Sequence, residues 1–224
     1  MAYPSDTLAE WDGRAGHQID RHLCALYGTE REKWRLLASF YRKGLEEGRK
    51  MVFIGDGTSR EALEWCLRVF GMDANSLLGS GQFRLLDTAQ TYVRDGKFSM
   101  ERMLGLLDEE IAQTKRDGFS GLMAAGEMIW ATRGYPGGSA LIEYEARLND
   151  FLSQTDCNAL CLYDRRRFSP ALLLYVLATH PVVAVGTRVY DNPYYMVPPP
   201  FLSTDNPKTT LAFWLSSLAD ADRR

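Results

Sequence analysis

A glycine turn at residues 55–59 has the position of a phosphate-binding loop, because an apolar strand-like run precedes it and a helical pattern follows at once. In that setting, backbone N–H groups and a helix N-terminus bind phosphate. A loop of the common kind reads G-x-x-x-x-G-K-[ST], and its lysine adds positive charge at the terminal phosphates. Here Gly55 and Gly57 stand close together, no lysine follows, and Asp56 places a carboxylate where the anion would bind. The turn therefore has the setting of a phosphate loop without its chemistry.

The same turn has a simpler interpretation as the start of a helix. Thr58 and Glu61 have the spacing of a capping box, in which two side chains satisfy free backbone N–H groups at the helix N-terminus. If nucleotide binding survives, Arg60 is the nearby cation that would replace the missing lysine. Helix capping and a residual small-ligand site are both open interpretations at this point.

His22 and Cys24 form a second arrangement with chemical potential. On a helix these side chains would lie about 200° apart, whereas on a strand they project from the same face, together with Leu26. A Cys–His pair can act as a redox or nucleophilic site or bind a soft metal. The alternative is a small buried cysteine beside a strand-end histidine whose hydrogen bonds are satisfied.

Acidic and aromatic residues stand at the ends of the predicted strands. Glu127 ends a run of small residues, and Trp130 would supply an apolar wall with one N–H donor, unless the pair is only a helix-starting glutamate and a core tryptophan. Ligands of an open parallel sheet bind beyond the carboxyl ends of its strands. We therefore predict a ligand-binding site without catalytic residues, formed by His22, Cys24, Tyr27, Asp56, Glu127, Trp130 and Tyr163.

The composition excludes several classes of protein. The chain has 224 residues, of which 46% are hydrophobic and 12% aromatic, so a sizeable core is expected. A net charge of −3 argues against a nucleic-acid surface. The four cysteines and three histidines lack the paired spacings of zinc sites, so no metal and no cofactor are predicted. No secretory signal and no apolar stretch of about 18 residues stand out, so we expect a cytoplasmic protein with reduced thiols.

Strands and helices are predicted to alternate along the chain. The predicted strands span residues 22–27, 51–54, 82–87, 119–128, 158–164 and 182–185. The predicted helices span residues 29–48, 60–70, 99–115, 140–152, 170–179 and 208–219. This order indicates an α/β fold with a mostly parallel, doubly wound sheet flanked by helices. We expect one domain, residues 21–224, after an irregular lead-in at residues 1–20.

Short motifs occur in an order that resembles a known sensory domain. In chain order they are His22-x-Cys24-x-x-Tyr27, Gly44-Leu-Glu-Glu-Gly48, Val52-Phe-Ile, Gly126-Glu-Met-x-Trp130, Tyr144-Glu-Ala, Cys161-x-Tyr-Asp164 and His180-Pro181. Their combination is similar to the MEDS domain, the DcmR-type sensory domain, over roughly residues 17–195. The resemblance implies a RecA/KaiC-like fold, since that family is regarded as a degenerate relative of P-loop ATPases that lost the lysine.

The resemblance also implies a function. MEDS domains are thought to serve prokaryotic signal transduction by recognising small hydrocarbon derivatives, such as methanol-like or halogenated one-carbon compounds. They are often attached to a helix-turn-helix domain or a histidine kinase, and too few residues follow residue 195 for either module. We therefore expect the output to pass through a protein partner, through homo-oligomerisation or through a domain outside this chain, with no direct nucleic-acid or membrane contact.

Three functions compete at this stage. The leading hypothesis is a non-enzymatic sensor of a small organic ligand that acts in signal transduction and transcription regulation. The second is an enzyme that binds or hydrolyses ATP through an atypical loop. The third is a protein-interaction module with a filled crevice, whose interface would use Tyr190, Tyr194, Tyr195 and Phe201.

Overall fold

The computed structural model describes residues 21–186 and 188–196. The predicted lead-in at residues 1–20, the helix at residues 208–219 and Phe201 lie outside the described residues. Within the described part, the chain forms one α/β unit with helices on both faces of a sheet.

Among residues 21–186 and 188–196, seven strands form a single sheet of order β3-β2-β4-β5-β1-β6-β7. The strands are β1 His22–Tyr27, β2 Lys50–Gly55, β3 Phe83–Asp87, β4 Leu122–Glu127, β5 Cys157–Asp164, β6 Val182–Val185 and β7 Arg188–Asp191. The first six run parallel, and β7 pairs antiparallel with β6. The predicted mostly parallel sheet is therefore confirmed. The edge strand β7 was missed, because it has four residues and three of them are exposed.

Six α-helices, counted in the part of the chain that the structure describes, cover the two faces of the sheet. They are α1 Glu30–Glu46, α2 Arg60–Val69, α3 Ala74–Gly79, α4 Met100–Arg116, α5 Leu141–Ser153 and α6 Pro170–Thr179. Single 3₁₀ turns add Thr88–Gln90, Arg94–Gly96, Ile129–Arg133 and Gly138–Ala140. The helix α3 was missed because six residues are too few to show a helical period. None of the described helices has the length and apolar character needed to cross a membrane.

Each face of the sheet has its own apolar core. The side chains of Leu23 and Tyr27 pack with α1, α2 and α3, whereas those of Cys24 and Leu26 pack with α4, α5 and α6. The predicted alternation along β1 is therefore confirmed. Because a strand side chain points to one face or the other, the position of each candidate residue along its strand decides which helix layer it meets.

Ser59, and not Thr58, caps the N-terminus of α2. The Ser59 side chain accepts a hydrogen bond from the Ala62 N–H at 3.2 Å. The capping box predicted for Thr58 was therefore wrong by one residue. The freed Thr58 hydroxyl points away from the helix and donates to Glu127 at the end of β4.

A crevice opens where the chain leaves two neighbouring strands in opposite directions. From β2 the chain continues into α2 on one face, and from β4 it continues towards α5 on the other face. In doubly wound folds, such a switch point leaves a crevice at the carboxyl ends of the strands, and ligands bind there. The turn 55–59 and Glu127 lie on its two sides.

Candidate functional site

A cleft of about 530 Å³, which we call the strand-end cleft, lies at the carboxyl ends of β1, β2, β4 and β5. Polar side chains dominate its lining, and Trp34 and Ile129 contribute apolar walls. Its lining residues are Tyr27, Glu30, Lys33, Trp34, Asp56, Gly57, Thr58, Ser59, Ala62, Glu127, Ile129, Arg133, Asp164 and Arg167. This volume falls within the usual range for small-molecule sites.

The Glu127 carboxylate is the centre of the hydrogen bonding in this cleft. Lys33 Nζ donates to Glu127 Oε1 at 2.8 Å, from the first helix. The Asp56 N–H and the Thr58 hydroxyl donate to Glu127 Oε2 at 2.7 and 2.9 Å, from the glycine turn. Two donors of the kind that would bind a phosphate oxygen in such a turn therefore bind a carboxylate of the protein itself.

Lys33 was missed by the sequence analysis and is the buried cation of the cleft. It also pairs with Glu30 at 2.6 Å. Burial alone would lower the pKa of Lys33, but Glu127 and Glu30 together outweigh burial and the pKa is raised, so the ammonium stays charged. The available signal was its position one helical turn before Leu36 and Leu37, on the apolar face of α1.

The Asp56 carboxylate does not lie where a phosphate loop would bind its anion, contrary to the sequence interpretation. Arg133 donates to its two carboxylate oxygens at 3.0 and 2.6 Å. Burial raises the pKa of Asp56, and Arg133 opposes that rise. Arg133, which the sequence analysis also missed, thus joins the 3₁₀ turn after β4 to the glycine turn after β2.

Arg60 is not placed to replace the missing lysine. Its Nε lies 2.9 Å from Glu64 Oε1 one helical turn further along α2, and its side chain is 60% exposed. The cations near the glycine turn come from other segments: Arg133 pairs with Asp56, and Lys33 pairs with the Glu127 carboxylate.

A second polar group is buried between the sheet and helices α5 and α6. We refer to it as the His–Glu–Cys cluster, and its members are His22, Glu145, Cys161 and His180. All four residues are at most 3% exposed. Their nitrogen, oxygen and sulfur atoms lie within 4.8 Å of one another.

Glu145 is the centre of this cluster. Its Oε2 lies 3.1 Å from His22 Nε2, 3.4 Å from His180 Nε2 and 3.4 Å from Cys161 Sγ. Its Oε1 accepts a short hydrogen bond from the Tyr163 hydroxyl. Burial opposes ionisation, but the two histidines outweigh it and hold the pKa of Glu145 below its usual range.

Both histidines of the cluster are held through their Nδ1 atoms. His180 Nδ1 lies 2.7 Å from the Val176 carbonyl oxygen, so it donates. His22 Nδ1 lies 3.1 Å from the side-chain oxygen of Asn149. The Asn149 amide nitrogen donates to the Thr179 carbonyl at 2.8 Å, which fixes that orientation. Both Nε2 atoms consequently face Glu145 Oε2 as lone pairs when the rings are neutral, and as N–H donors only when the rings are protonated.

The cysteine that meets His22 is Cys161, and not Cys24 as the sequence spacing suggested. Cys161 Sγ lies 3.6 Å from His22 Nε2. Cys24 is the register partner of Cys161 on the adjacent strand and lies within the apolar core. Burial raises the pKa of both thiols above the usual value.

The seven predicted site residues do not share one crevice. Tyr27, Asp56 and Glu127 line the strand-end cleft. His22 lies at the amino end of β1, and Cys24 lies in the middle of this strand, so neither residue reaches the carboxyl ends of the strands. Tyr163 and Trp130 belong to the other helix layer. The residues predicted as one site are thus divided among three places: His22 and Tyr163 contact Glu145 of the His–Glu–Cys cluster, and Cys24 and Trp130 lie in the apolar core.

Trp130 is a core residue rather than a wall of the cleft. Its ring stacks between Tyr92 and Phe98, with centroid distances of 5.2 and 4.6 Å, and it is fully buried. The chain turns through the 3₁₀ segment Ile129–Arg133, which carries Trp130 to the opposite face from Glu127. The structure therefore corrects the expectation that these two side chains bind one ligand together.

Known proteins share this architecture. A total of 185 chains of solved structures match the protein. One is a KaiC-like protein from the hyperthermophilic archaeon Pyrococcus horikoshii OT3, with a TM-score of 0.51, 14% identity, and coverage of 74% of this chain and 70% of that chain. At this identity the likeness shows the fold alone, which is RecA/KaiC-like. No curated protein matches the chain significantly.

A family model covers most of the described chain. The model of MEDS, the MEthanogen/methylotroph, DcmR Sensory domain, matches residues 21–181. This span contains the strand-end cleft and the His–Glu–Cys cluster. The order of motifs, the RecA/KaiC-like sheet and the extent of this match lead to one conclusion: the chain belongs to the MEDS family of sensory domains.

Proposed function

We propose that this chain is a non-enzymatic, cytoplasmic sensory module, which binds a small organic molecule in the strand-end cleft and signals to a protein partner. Membership of a sensory family supports the general role. The four cysteines, all buried and free, agree with a reducing compartment. The position of the cleft at the switch point of the sheet supports it as the ligand site.

The hydrogen bonds of Glu127 are the observation that carries this proposal. One carboxylate holds Lys33 of α1 and two donors of the turn after β2. A ligand hydroxyl that donates to Glu127 would compete with those donors. The apolar part of the same ligand would lie against Trp34 and Ile129. A short alcohol or a similar hydrocarbon derivative has this combination of groups.

The same contacts supply a route for the signal. Glu127 links β4, the first helix and the glycine turn, so a ligand that replaces one of its donors changes how these elements are joined. A ligand shifts a conformational equilibrium only by the difference in its contacts with the two states. We therefore expect α1 and the turn before α2 to be the elements that move.

The two alternatives lead to different observations. For nucleotide binding, a phosphate oxygen would compete with Glu127, which already accepts hydrogen bonds from the Asp56 N–H and the Thr58 hydroxyl of the turn. For a pure interaction module, a crevice filled with side chains would be expected, whereas this cleft has a volume of about 530 Å³. The aromatic residues considered for such an interface include Tyr190 and Tyr194, which are exposed on the structure.

A thermal-shift screen tests the proposal. The purified protein is heated with methanol, ethanol, dichloromethane, acetate or magnesium ATP, and its melting temperature is compared with that of Glu127→Gln and Glu143→Gln. Glu143 is a matched control, since it forms a surface pair with Arg147. A ligand of the folded state raises the melting temperature with its concentration. We expect stabilisation by an alcohol that is lost in Glu127→Gln and kept in Glu143→Gln.

Other outcomes of the screen favour the other functions. Stabilisation by magnesium ATP alone would favour the nucleotide-binding alternative. Equal stabilisation of the wild type and Glu127→Gln by an alcohol would contradict the proposed site. No stabilisation by any compound would favour the interaction module.

A further inference from the structure

We infer that the His–Glu–Cys cluster is a binding site for a divalent transition-metal ion, and that Zn²⁺ fits its ligands. The cluster lies apart from the residues that line the strand-end cleft, so this inference does not depend on the proposed ligand site. It also differs from the expectation drawn from cysteine and histidine spacing, which predicted no metal.

The spacing of the four ligand atoms fits tetrahedral coordination. Bond lengths of about 2.0–2.3 Å to zinc place neighbouring ligand atoms about 3.3–3.8 Å apart. In the cluster, Glu145 Oε2 lies 3.1 and 3.4 Å from the two histidine Nε2 atoms and 3.4 Å from the cysteine sulfur. The cysteine sulfur lies 3.6 Å from His22 Nε2. The other two pairs of ligand atoms lie within 4.8 Å of each other, so coordination requires the side chains to move closer together.

The orientation of the two imidazoles is that of metal ligands. Metal-binding histidines usually donate their other ring N–H to a carbonyl or carboxylate, which fixes the tautomer. His180 does so to the Val176 carbonyl, and His22 does so to the Asn149 side chain. His180 Nε2 is buried and makes no hydrogen bond. A buried polar atom of this kind calls for a partner, and an ion at the centre of the cluster supplies it.

Protonation of the two histidines, without a metal ion, would satisfy the hydrogen-bonding needs of this cluster poorly. With each Nδ1 already donating, a hydrogen bond from each Nε2 to Glu145 would require two imidazolium ions. Their ring centroids lie 4.0 Å apart in a fully buried place, and both Nε2 atoms face the same carboxylate oxygen, Glu145 Oε2. Two buried like charges at this distance repel strongly. A single divalent ion removes the conflict, because both lone pairs then bind the ion.

The charges balance when the ion binds. The metal ion displaces the proton of the Cys161 thiol, forms a metal–sulfur bond and releases that proton to solvent. The ion then carries two positive charges against one thiolate and one carboxylate, with two neutral imidazoles. The resulting centre is neutral, as a buried group should be.

The types and the number of the ligand atoms indicate which metal ion would bind and whether its role is structural or catalytic. Two nitrogens, one sulfur and one oxygen suit zinc and exclude magnesium and calcium, which prefer oxygen ligands alone. Four protein ligands leave no open position, which is typical of a structural site. The ligands come from β1, β5, α5 and the end of α6, so the ion would join two strands to two helices.

A surface depression reaches one residue of the cluster. It has a volume of about 240 Å³ and is lined by His22 itself, together with Asn149 and Tyr195. Asn149 also accepts the hydrogen bond from His22 Nδ1, so the residue that holds this ring lines the depression.

Metal analysis and cobalt substitution test the inference on the whole chain. The wild type is purified without chelator, and its zinc content is measured by mass spectrometry. The matched pair of variants is Cys161→Ser and Cys24→Ser, since the two cysteines are buried register partners on adjacent strands. We expect about one zinc ion per chain in the wild type and in Cys24→Ser, and at least a 10-fold weaker retention in Cys161→Ser.

Cobalt gives a second readout that does not depend on any variant. Co²⁺ added to the chelator-treated wild type should produce a thiolate-to-cobalt charge-transfer absorption, which needs a cysteine in the coordination sphere. A folded wild type that retains no zinc and shows no such band with Co²⁺ overturns the inference. The same band in Cys161→Ser, at equal intensity, also overturns it.

Discussion

Lys33 on the first helix and Glu127 at the end of β4 form a buried ion pair with an Nζ–Oε1 distance of 2.8 Å, across 94 positions of sequence. The pair lies where the lysine of a phosphate loop would contact a bound phosphate. Here the cation comes from another helix and the anion is part of the protein. The arrangement explains how a RecA/KaiC-like fold can keep a crevice at its switch point without a lysine in the turn.

Removal of Lys33 should be costly to the fold. Lys33→Met leaves Glu127 buried with one donor fewer, and breaking a buried pair in this way costs about 3 kcal/mol or more. The surface pair of Lys43 with Glu47 provides the control, because Lys43→Met should cost less than about 1 kcal/mol. Urea unfolding measures both free energies. Equal losses in the two variants would mean that the buried pair contributes no more than a surface pair.

The Tyr163 hydroxyl should control metal affinity rather than folding. Its hydrogen bond holds Glu145 Oε1 and leaves Oε2 for the ion. Loss of such a supporting contact typically weakens metal binding about 10–100-fold, so we expect a loss in this range for Tyr163→Phe. Tyr144→Phe is the control, since Tyr144 packs against Phe98 in the apolar core. Competition with a zinc chelator measures the affinities, and an unchanged affinity in Tyr163→Phe would contradict this role.

Arg133→Ala should change the pH dependence of stability through Asp56. Burial raises the pKa of Asp56 in the folded state, so the folded protein binds more protons than the unfolded chain just above the ordinary pKa. Stability therefore falls as the pH rises through the folded pKa. Arg133 opposes this effect, and its removal should make the fall steeper.

Urea midpoints between pH 4 and pH 7 test this slope. Arg147→Ala serves as the control, because Arg147 pairs with Glu143 on the surface. The difference between Arg133→Ala and the wild type should grow as the pH rises. A constant difference, as expected for Arg147→Ala, would show that Arg133 does not act on the ionisation of Asp56.

Two glycines should respond to alanine in opposite directions. At Gly126 in β4, a Cβ atom would lie 2.3 Å from the Tyr92 hydroxyl oxygen, and the Tyr92 ring stacks on Trp130. Gly126→Ala should therefore destabilise the protein by about 1–3 kcal/mol. At Gly105 in α4, nothing lies within 4 Å, so Gly105→Ala should stabilise the helix by about 0.5–1 kcal/mol. Thermal unfolding of both variants distinguishes them, and destabilisation by Gly105→Ala would contradict the packing described for α4.

Local sequence patterns predicted the parts of the fold that depend on short-range periodicity. The alternation in β1 assigned Leu23 and Cys24 to opposite faces, and the structure confirms it. The motif order indicated the family, which the family model confirms. The N-cap of α2 was harder to predict, because Thr58 and Ser59 are adjacent and both residue types cap helices well.

The two polar centres depend on long-range packing and could not be derived from spacing. His22 meets Cys161 because β1 pairs with β5, and that neighbour relation follows from the strand order. Glu145 then comes from the helix that precedes β5. Lys33 reaches Glu127 because α1 crosses the sheet above β4. In each case the residues are distant in sequence, and the sheet order brings them together.

The most direct test of the ligand site is a titration followed by the indole N–H signals of the tryptophans in the NMR spectrum. Trp34 lines the strand-end cleft, whereas Trp130 is buried in the opposite layer. With increasing methanol or ethanol, we expect a saturable shift of the Trp34 signal and little change at Trp130. The shift should be lost in Glu127→Gln but not in Glu143→Gln. A Trp34 signal that stays unchanged, or that shifts equally in Glu127→Gln, would contradict ligand binding at Glu127.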